Sequence, residues 1–509
     1  MEKEYKQIGV SRPPLEVQDL PTPEEVYKVK RVGLQELILF ILGPGVIALG
    51  ISIGSGEWQL GPLNVSKLGF QGIGWVILVS AVLQVLYNIE LARFTIATGE
   101  PPILAFGRTP PGYWLWIPLA LFSFYMAFIL GGWTVSAGAS LFALFTGRVY
   151  QANELELVRI MGIGLLASIF VVTMFGRKIE RTMEAVQGLI LPYVLIGLLL
   201  VTLVVVPISY WGSAMLSLVT PSRLPEGADM SLLGALAGFT ALASGLNFMF
   251  IGYYRDKGFG MGSRTGYLPG LLGGRASKLS SVGKIFPENE KNAAIWKRWF
   301  RYLLIDQWGI YFVGAILGMM LPSILVGYLA GLPGAQPPEQ ASVTTYAALQ
   351  LGQRFGPLLS GWTLLTGFLI LYTTQMVVLE LLARNLTDGL LGFRRRARSK
   401  QPETAAENSS EESIVQDPRR LYYPIMIGLI VVISIIIHLA LPVQLTVISG
   451  NLSNFAALIF PLVMIYLNRQ LPKPARITWW SYLSLVGNVL FFGFFFVNFL
   501  LTQGSALFR

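Results

Sequence analysis

Eleven apolar runs, each close to the length a helix needs to cross a hydrocarbon layer, constrain this chain more than any other feature. They fall at roughly 35–57, 72–97, 113–145, 157–175, 184–209, 231–254, 301–331, 357–391, 421–440, 443–467 and 479–502. In lipid every backbone amide and carbonyl must be paired within the protein, so such runs specify helices. Only 13% of the 509 residues are charged, against about 25% in a soluble chain. The expectation is an all-α polytopic membrane protein with one transmembrane domain over 35–502. The third and eighth runs are too long for a straight crossing and should tilt or project.

Residues 1–34 read as a polar cytoplasmic tail and 503–509 as a short second tail, with no cleavable signal peptide. Basic residues orient the bundle. With the N-terminus inside, all but six of the 38 lysines and arginines fall on the inner side; the exceptions are Lys67, Arg148, Arg159, Arg223, Arg354 and Arg509. Eleven spans then put the C-terminus outside the cell membrane. The net charge of +10 is therefore a topology signal and not a nucleic-acid footprint. The inner loop 392–420 alternates blocks of charge and reads as disordered, its arginines near anionic lipid headgroups. The inner loop 255–300 starts with a glycine-rich turn that lacks the ending of a phosphate loop. Residues 295–301 read as an interfacial helix leading into span 7.

One span breaks the pattern. Between Gly43 and Trp58 lie glycines 43, 45, 50, 54 and 56, Pro44 and the carboxylate of Glu57. Irregular backbone at membrane depth survives only where protein or a water-filled cavity surrounds it, and an acidic group beside such a break marks a functional site. The plain alternative is close packing on small residues with Glu57 at the outer interface. Span 6 is also interrupted by glycine, within 231–247, five spans later. Matching interruptions in two halves of a chain point to a transporter with inverted repeats and a site at mid-membrane.

The absence of cysteine removes disulfides, thiolate metal sites and cysteine nucleophiles, and one histidine, His438, makes no histidine-rich metal centre. The ligand candidates are therefore oxygens. Glu57 is the principal one, with Gly54 and Ser55 at the first break and Ser244 and Asn247 at the second. Gln375 in span 8 and Asn451 and Asn454 in span 10 are possible amide ligands, each more simply read as packing glue. Glu90, Asp306 and Glu380 are candidates for a proton pathway. Their plainer reading is pairing, Glu90 with Arg93, Glu380 with Arg384, and Asp306 with Arg298 or Arg301. His438 is read as meeting an interface or a neighbour.

Several segments in order resemble the Nramp family of divalent-metal transporters. Gly43-Pro44-Gly45 looks like that family's opening of span 1, and residues 84–99 (QVLYNIELARFTIATG) like its span 2. Residues 175–184 (FGRKIERTME) are similar to its junction before span 5. Residues 373–380 (TTQMVVLE) are similar to its span 8, and 468–471 (NRQL) to the end of its span 10. The resemblance covers about 36–475. It implies a leucine-transporter-like fold with 5+5 inverted repeats, broken first and sixth helices, and alternating access. The departures fall at the chemistry. The family's Asp-Pro-Gly-Asn stands here as Gly54-Ser55-Gly56-Glu57, and its Met-Pro-His as residues 243–247 (ASGLN). With the thioether gone, an all-oxygen set suits a hard cation of the Mn or Mg class.

The leading expectation is thus a secondary transporter moving a divalent metal cation (Mn/Mg/Fe class), proton-coupled, the metal being cargo and no cofactor being needed. It is not an enzyme, and a small cation and membrane lipids are its partners. A second expectation keeps the fold and changes the cargo to an amino acid or amine, on account of the missing aspartate and methionine and of Trp58 beside the break. A third is a non-transporting membrane sensor or scaffold acting through the basic loops.

Overall fold

A computed structural model describes residues 16–37, 43–107, 109–130, 132–175, 179–224, 226, 228–240, 242, 245–265, 283–340, 342–398 and 419–507. Among these, nine helices are long and apolar enough to cross a membrane. Two further crossings, the first and the sixth, are assembled from shorter pieces, which completes the expected eleven.

Span 1 starts as the helix Pro44–Ser52, leaves helical geometry at Ile53 (ψ 82°), and resumes through a π-helical turn at Gly56–Leu60. It then runs into the helix Gly61–Thr98, which turns a corner at Gly69, where φ is +69°. Span 1 therefore ends near 68 and not near 57, with span 2 following the corner. Two features of 58–68 disguise this. Pro62 breaks an ordinary helix, but the wider turn before it has already given up the usual bonding pattern. Gly69 alone accepts the left-handed corner without strain. The correction matters, because it moves Glu57 from the expected end of span 1 to its middle.

Span 6 comprises Met230–Phe239, a break beginning at Thr240, and then Leu246–Phe250 and Gly252–Lys257. Asp229 caps its start by accepting from the Ser231 and Leu232 amides. Span 3 is two helices, Tyr113–Phe128 and Gly132–Thr146, and span 8 is one long helix, Pro357–Arg398. Both account for the excess length noted in the sequence. Span 7 begins as the amphipathic helix Glu290–Leu304, passes through a π-helical stretch at Ile305–Phe312, and continues to Ala330. The residues expected to lie flat at the interface, 295–301, are thus the first turns of span 7.

Spans 10 and 11 pack together and against the first half of span 6, while span 8 packs on the second half of span 3. The broken spans sit between these groups. On one face the short helix Val343–Phe355 covers the bundle. On the other, residues 16–36 do not hang free as a detached tail. Glu16–Val17 pairs in parallel with Lys284–Ile285. Trp299 donates its indole N–H to the Pro21 carbonyl at 2.8 Å, and the Leu20 amide donates to Asn292 at 3.1 Å. The interval 392–420 falls mostly outside the described residues.

Candidate functional site at the two helix breaks

The break in span 1 frees backbone groups that its neighbours then satisfy. The Gly54 amide donates to Glu57 Oε2 at 2.9 Å, so the glutamate reaches back three residues as a helix-capping acid does. The freed Ile53 carbonyl accepts from Thr374 Oγ1 of span 8 at 3.2 Å. Ser55 Oγ accepts from the Trp133 indole N–H of span 3 at 2.7 Å. Glu57 is fully buried, which excludes the outer-interface reading. Its carboxyl group lies by the positive end of the resumed helix, where an anion is favoured.

The second break closes on the first. A Cβ built on Gly56 would lie 2.8 Å from the Phe239 carbonyl oxygen. Only glycine permits that approach between span 1 and the last turn of span 6 before its interruption. A cavity of about 20 Å³ lies at this meeting point, bounded by Ser52, residues 54–57, Phe128, Trp133, Phe239, Leu246, Thr374 and Val378. That is room for about one water or one bare ion. Three of its walls are aromatic rings with centroids about 6 Å apart: Phe128–Trp133 at 6.2 Å, Phe128–Phe239 at 6.2 Å and Trp133–Phe239 at 6.1 Å. Toward the face covered by Val343–Phe355 the site is shut. Trp58 donates to the Thr344 carbonyl at 2.9 Å, and Gln59 Nε2 donates to Ser136 and Thr344 hydroxyls at 2.8 Å each.

Of the ligand candidates, Gly54, Ser55 and Glu57 line this cavity. Ser244 lies outside the described residues. Asn247 does not line the cavity; it donates to Asn88 Oδ1 of span 2 at 2.6 Å. Gln375 is buried, but Thr374 beside it and Val378 are the residues of span 8 that line the cavity. Asn451 and Asn454 are not site ligands in this arrangement. Their amides donate to the Ser231 and Gly234 carbonyls at 2.8 and 3.0 Å, and so bolt span 10 to the first half of span 6.

The proton-pathway candidates separate in the same way. Glu90 binds Arg93 at 3.0 Å, accepts from Ser481 at 2.6 Å and from Asn468 at 3.1 Å, and so joins spans 2, 10 and 11. Glu380 belongs to a buried chain of charges that includes Arg384, Asp256, Arg255 and Asp388 and ties span 8 to the end of span 6. Both follow their pairing reading. Asp306 does not: it meets neither Arg298 nor Arg301 and accepts instead from the Tyr254 hydroxyl at 2.5 Å. His438 contacts Glu156 at 3.1 Å, the neighbour expected of it.

Sequence reasoning missed Trp133, Phe128, Phe239 and Thr374. The aromatic residues carry no local signal, since rings are abundant in every span. Thr374 lay within the segment 373–380 already marked as similar to span 8, where only the adjacent glutamine was weighed. Among the described residues no group of three or more histidine and acidic side chains converges on one point.

No protein-family model matches the chain, and no curated protein matches it. Solved structures do. Two mutant forms of the manganese transporter of Eremococcus coleocola superpose with TM-scores of 0.59, at 15% and 14% identity, covering 94% of this chain and 88% of theirs. The same transporter in complex with an aromatic bis-isothiourea substituted compound gives 0.52 at 14% identity, covering 96% and 90%. The fold is the leucine-transporter-like one, with the first and sixth helices broken. Over nearly the whole chain that fold is similar to the fold of this manganese transporter.

Proposed function

We propose that the chain is a secondary active transporter, a distant relative of the Nramp proteins, that carries a small divalent cation of the Mn/Mg class across the cell membrane. One observation carries this reading: a fully buried carboxylate stands where two interrupted helices meet, at a cavity the size of one ion. Maintaining a carboxylate and loosened backbone at that depth is costly unless something binds there. Glu57, the Ser55 hydroxyl and oxygens of the span 1 break supply hard oxygen ligands of the kind such a cation takes. The cavity has room for an ion and not for an amino acid. The basic residues orient the face that carries residues 16–36 toward the cytoplasm. Energy comes from a gradient, and the chain acts as a carrier and not as a catalyst.

The test is uptake of Mn²⁺ into proteoliposomes. Glu57→Gln is expected to abolish uptake while the protein remains folded. Normal uptake by that variant would remove the site.

A second reading, an organic amine as cargo, draws on the aromatic walls. A single carboxylate facing Phe128, Trp133 and Phe239 also suits a monovalent ammonium group, which aromatic rings attract. Thermal stabilisation of the purified protein separates the two. Mn²⁺ or Mg²⁺ raises the melting temperature under the first reading, and methylammonium does so under the second.

A further inference from the structure

Two pieces of the chain stand between the Glu57 cavity and the cytoplasmic face: the half-helix Pro44–Ser52 and the strap of residues 16–36. The half-helix is the part of the wall that can move by itself. It continues into the rest of span 1 only through non-helical backbone at Ile53, the kind of element end that absorbs a hinge rotation. It carries no charged side chain, so contact alone holds it. The matching half of span 6 is fixed: Asp256 pairs with Arg384 of span 8, and Arg255 with Asp388 at 3.2 Å.

The strap has a built seat. Beyond the pairing of Glu16–Val17 with Lys284–Ile285, the Gln18 amide donates to the Ile285 carbonyl at 3.0 Å. Leu20 is buried, its amide held by Asn292 Oδ1, and Asn292 Nδ2 donates to Asp19 at 3.2 Å. Thr22 then opens the short helix Pro23–Tyr27 with a capping box to Glu25. That turn sets Glu24 on Arg298 and the Tyr27 ring 6.1 Å from the Trp299 ring. It also sets Val26 on Gly258, where a Cβ would lie 3.1 Å from Val26 Cγ1. One short segment thus grips the inner extension of span 7 and the end of span 6 together.

Strap and half-helix meet the same turn. Gly258, under Val26, is the left-handed cap of span 6, with φ at +88°. The residue before it, Lys257, bonds to Glu184 of span 5 at 2.5 Å, and that pair lies across Gly43, where a Cβ would collide with both. The strap therefore packs on the turn that closes over the start of the half-helix. The two are also close along the chain. Six peptide units separate Leu37 from Gly43, a reach of at most about 20 Å. The half-helix has nine residues and is about 14 Å long, so a tilt about Ile53 carries Gly43 through several ångströms and draws on the strap.

We infer that the strap of residues 16–36 is a latch on the cytoplasmic opening of this carrier. Seated on Glu290–Leu304 and on Gly258, it holds the half-helix Pro44–Ser52 over the Glu57 cavity. Leaving that seat lets the half-helix tilt about Ile53 and opens the cavity inward, while the buried ion pairs keep the end of span 6 against span 8. The inference rests on the transporter reading above and adds to it the control of the inner opening. The seat consists of one buried leucine, neutral hydrogen bonds and partly exposed ion pairs, a set small enough to open locally while the bundle stays folded.

The chain holds no cysteine, so Ile47→Cys or Ala48→Cys, each buried on the half-helix, reports inward opening by its reaction with a membrane-impermeant maleimide. Inverted membrane vesicles present the cytoplasmic face to the reagent. Leu20→Asp and Val26→Asp unseat the strap and touch neither the cavity nor the half-helix. Each should speed the labelling by about ten-fold, the size of an ordinary coupling between two sites. Ala237→Cys, in the first half of span 6, should stay unlabelled. Labelling at the unaltered rate in both strap variants overturns the inference, and so does equal labelling of Ala237→Cys, which would mean a loosened bundle. In a second arm, Asp19→Cys and Lys291→Cys, an ion pair at 3.1 Å in the unaltered chain, are bridged by a bismaleimide to fasten the strap. Mn²⁺ uptake by the bridged protein should fall by about ten-fold or more against the unbridged double variant; uptake at the unbridged rate overturns the inference. This arm decides the matter should neither strap variant fold. Labelling needs no cargo, so the two readings fail separately. Labelling indifferent to the strap in a protein that takes up Mn²⁺ ends the latch and leaves the transporter; labelling that follows the strap in a protein that takes up no Mn²⁺ does the reverse.

Discussion

The carboxylate of Glu57 accepts the amide of Gly54 at 2.9 Å across the point where span 1 stops being helical. The contact gives Glu57 a structural duty beside its proposed one. Glutamine at 57 keeps an acceptor for that amide; alanine leaves it bare. Glu57→Ala should therefore lose about 1–3 kcal/mol of stability, and Glu57→Gln clearly less. Thermal melting of the two purified variants checks this, and equal melting would show that the side chain does not cap the break.

Gly56 presses span 1 against the Phe239 carbonyl, and a methyl group there meets backbone at 2.8 Å. Backbone cannot swing aside as a flexible side chain does. Gly56→Ala should cost about 1–3 kcal/mol through overpacking and abolish cation uptake, because it separates the two breaks. An alanine variant that melts and transports like the unaltered protein would mean that the two breaks do not touch.

Thr374 supplies the hydroxyl that holds the Ile53 carbonyl at 3.2 Å. Thr374→Val preserves shape and removes that bond, a loss of about 0.5–1.5 kcal/mol. Cation affinity measured by calorimetry should weaken by about two- to ten-fold. Unchanged affinity would place Thr374 among the packing residues.

Arg384 joins Glu380 and Asp256 in a fully buried charge chain. Removing one partner strands the others in a low-dielectric interior, which costs about 3–5 kcal/mol. Arg384→Met should therefore fold poorly, and the further change Glu380→Gln should recover part of the loss. Yield of monodisperse protein on size exclusion reports both; no recovery in the double variant would show that Asp256 carries the penalty.

The strap formed by residues 16–36 responds to acid. The Arg298 guanidinium bonded to Glu24 holds that carboxyl below its ordinary value, and Asn292 and Lys291 do the same for Asp19. A carboxyl lowered on folding contributes stability above its unfolded pKa and loses it as pH falls through the folded one. Docking should thus be complete at neutral pH and weaken below about pH 4. Protection of the 16–36 amides, taken relative to their intrinsic exchange rate at each pH, should fall there, and Arg298→Gln should show part of that fall at neutral pH. Protection unchanged with pH would show that the neutral bonds, Trp299 to Pro21, Leu20 to Asn292 and the strand pairing, hold the strap.

The sequence by itself determined the class of the molecule and much of its plan. Span lengths and the charge asymmetry follow from transfer energies that act residue by residue, so eleven crossings were legible. So were the two interruptions, because glycine and proline act locally on the backbone. Glu57, Ser55 and Gly54 were legible as a group, since they sit on the break itself.

Tertiary structure decided the rest. Whether Glu57 lies at mid-membrane or at the surface turned on the corner at Gly69, a property of chain path and not of composition. Asn451 and Asn454 face span 6 backbone, and Asp306 faces Tyr254 and not an arginine, because partners in a bundle are set by helix rotation and crossing. Thr374, Trp133, Phe128 and Phe239 enter the cavity from spans 8, 3 and 6. Residues so far apart in sequence meet only when all the helices pack, and no local pattern encodes that meeting.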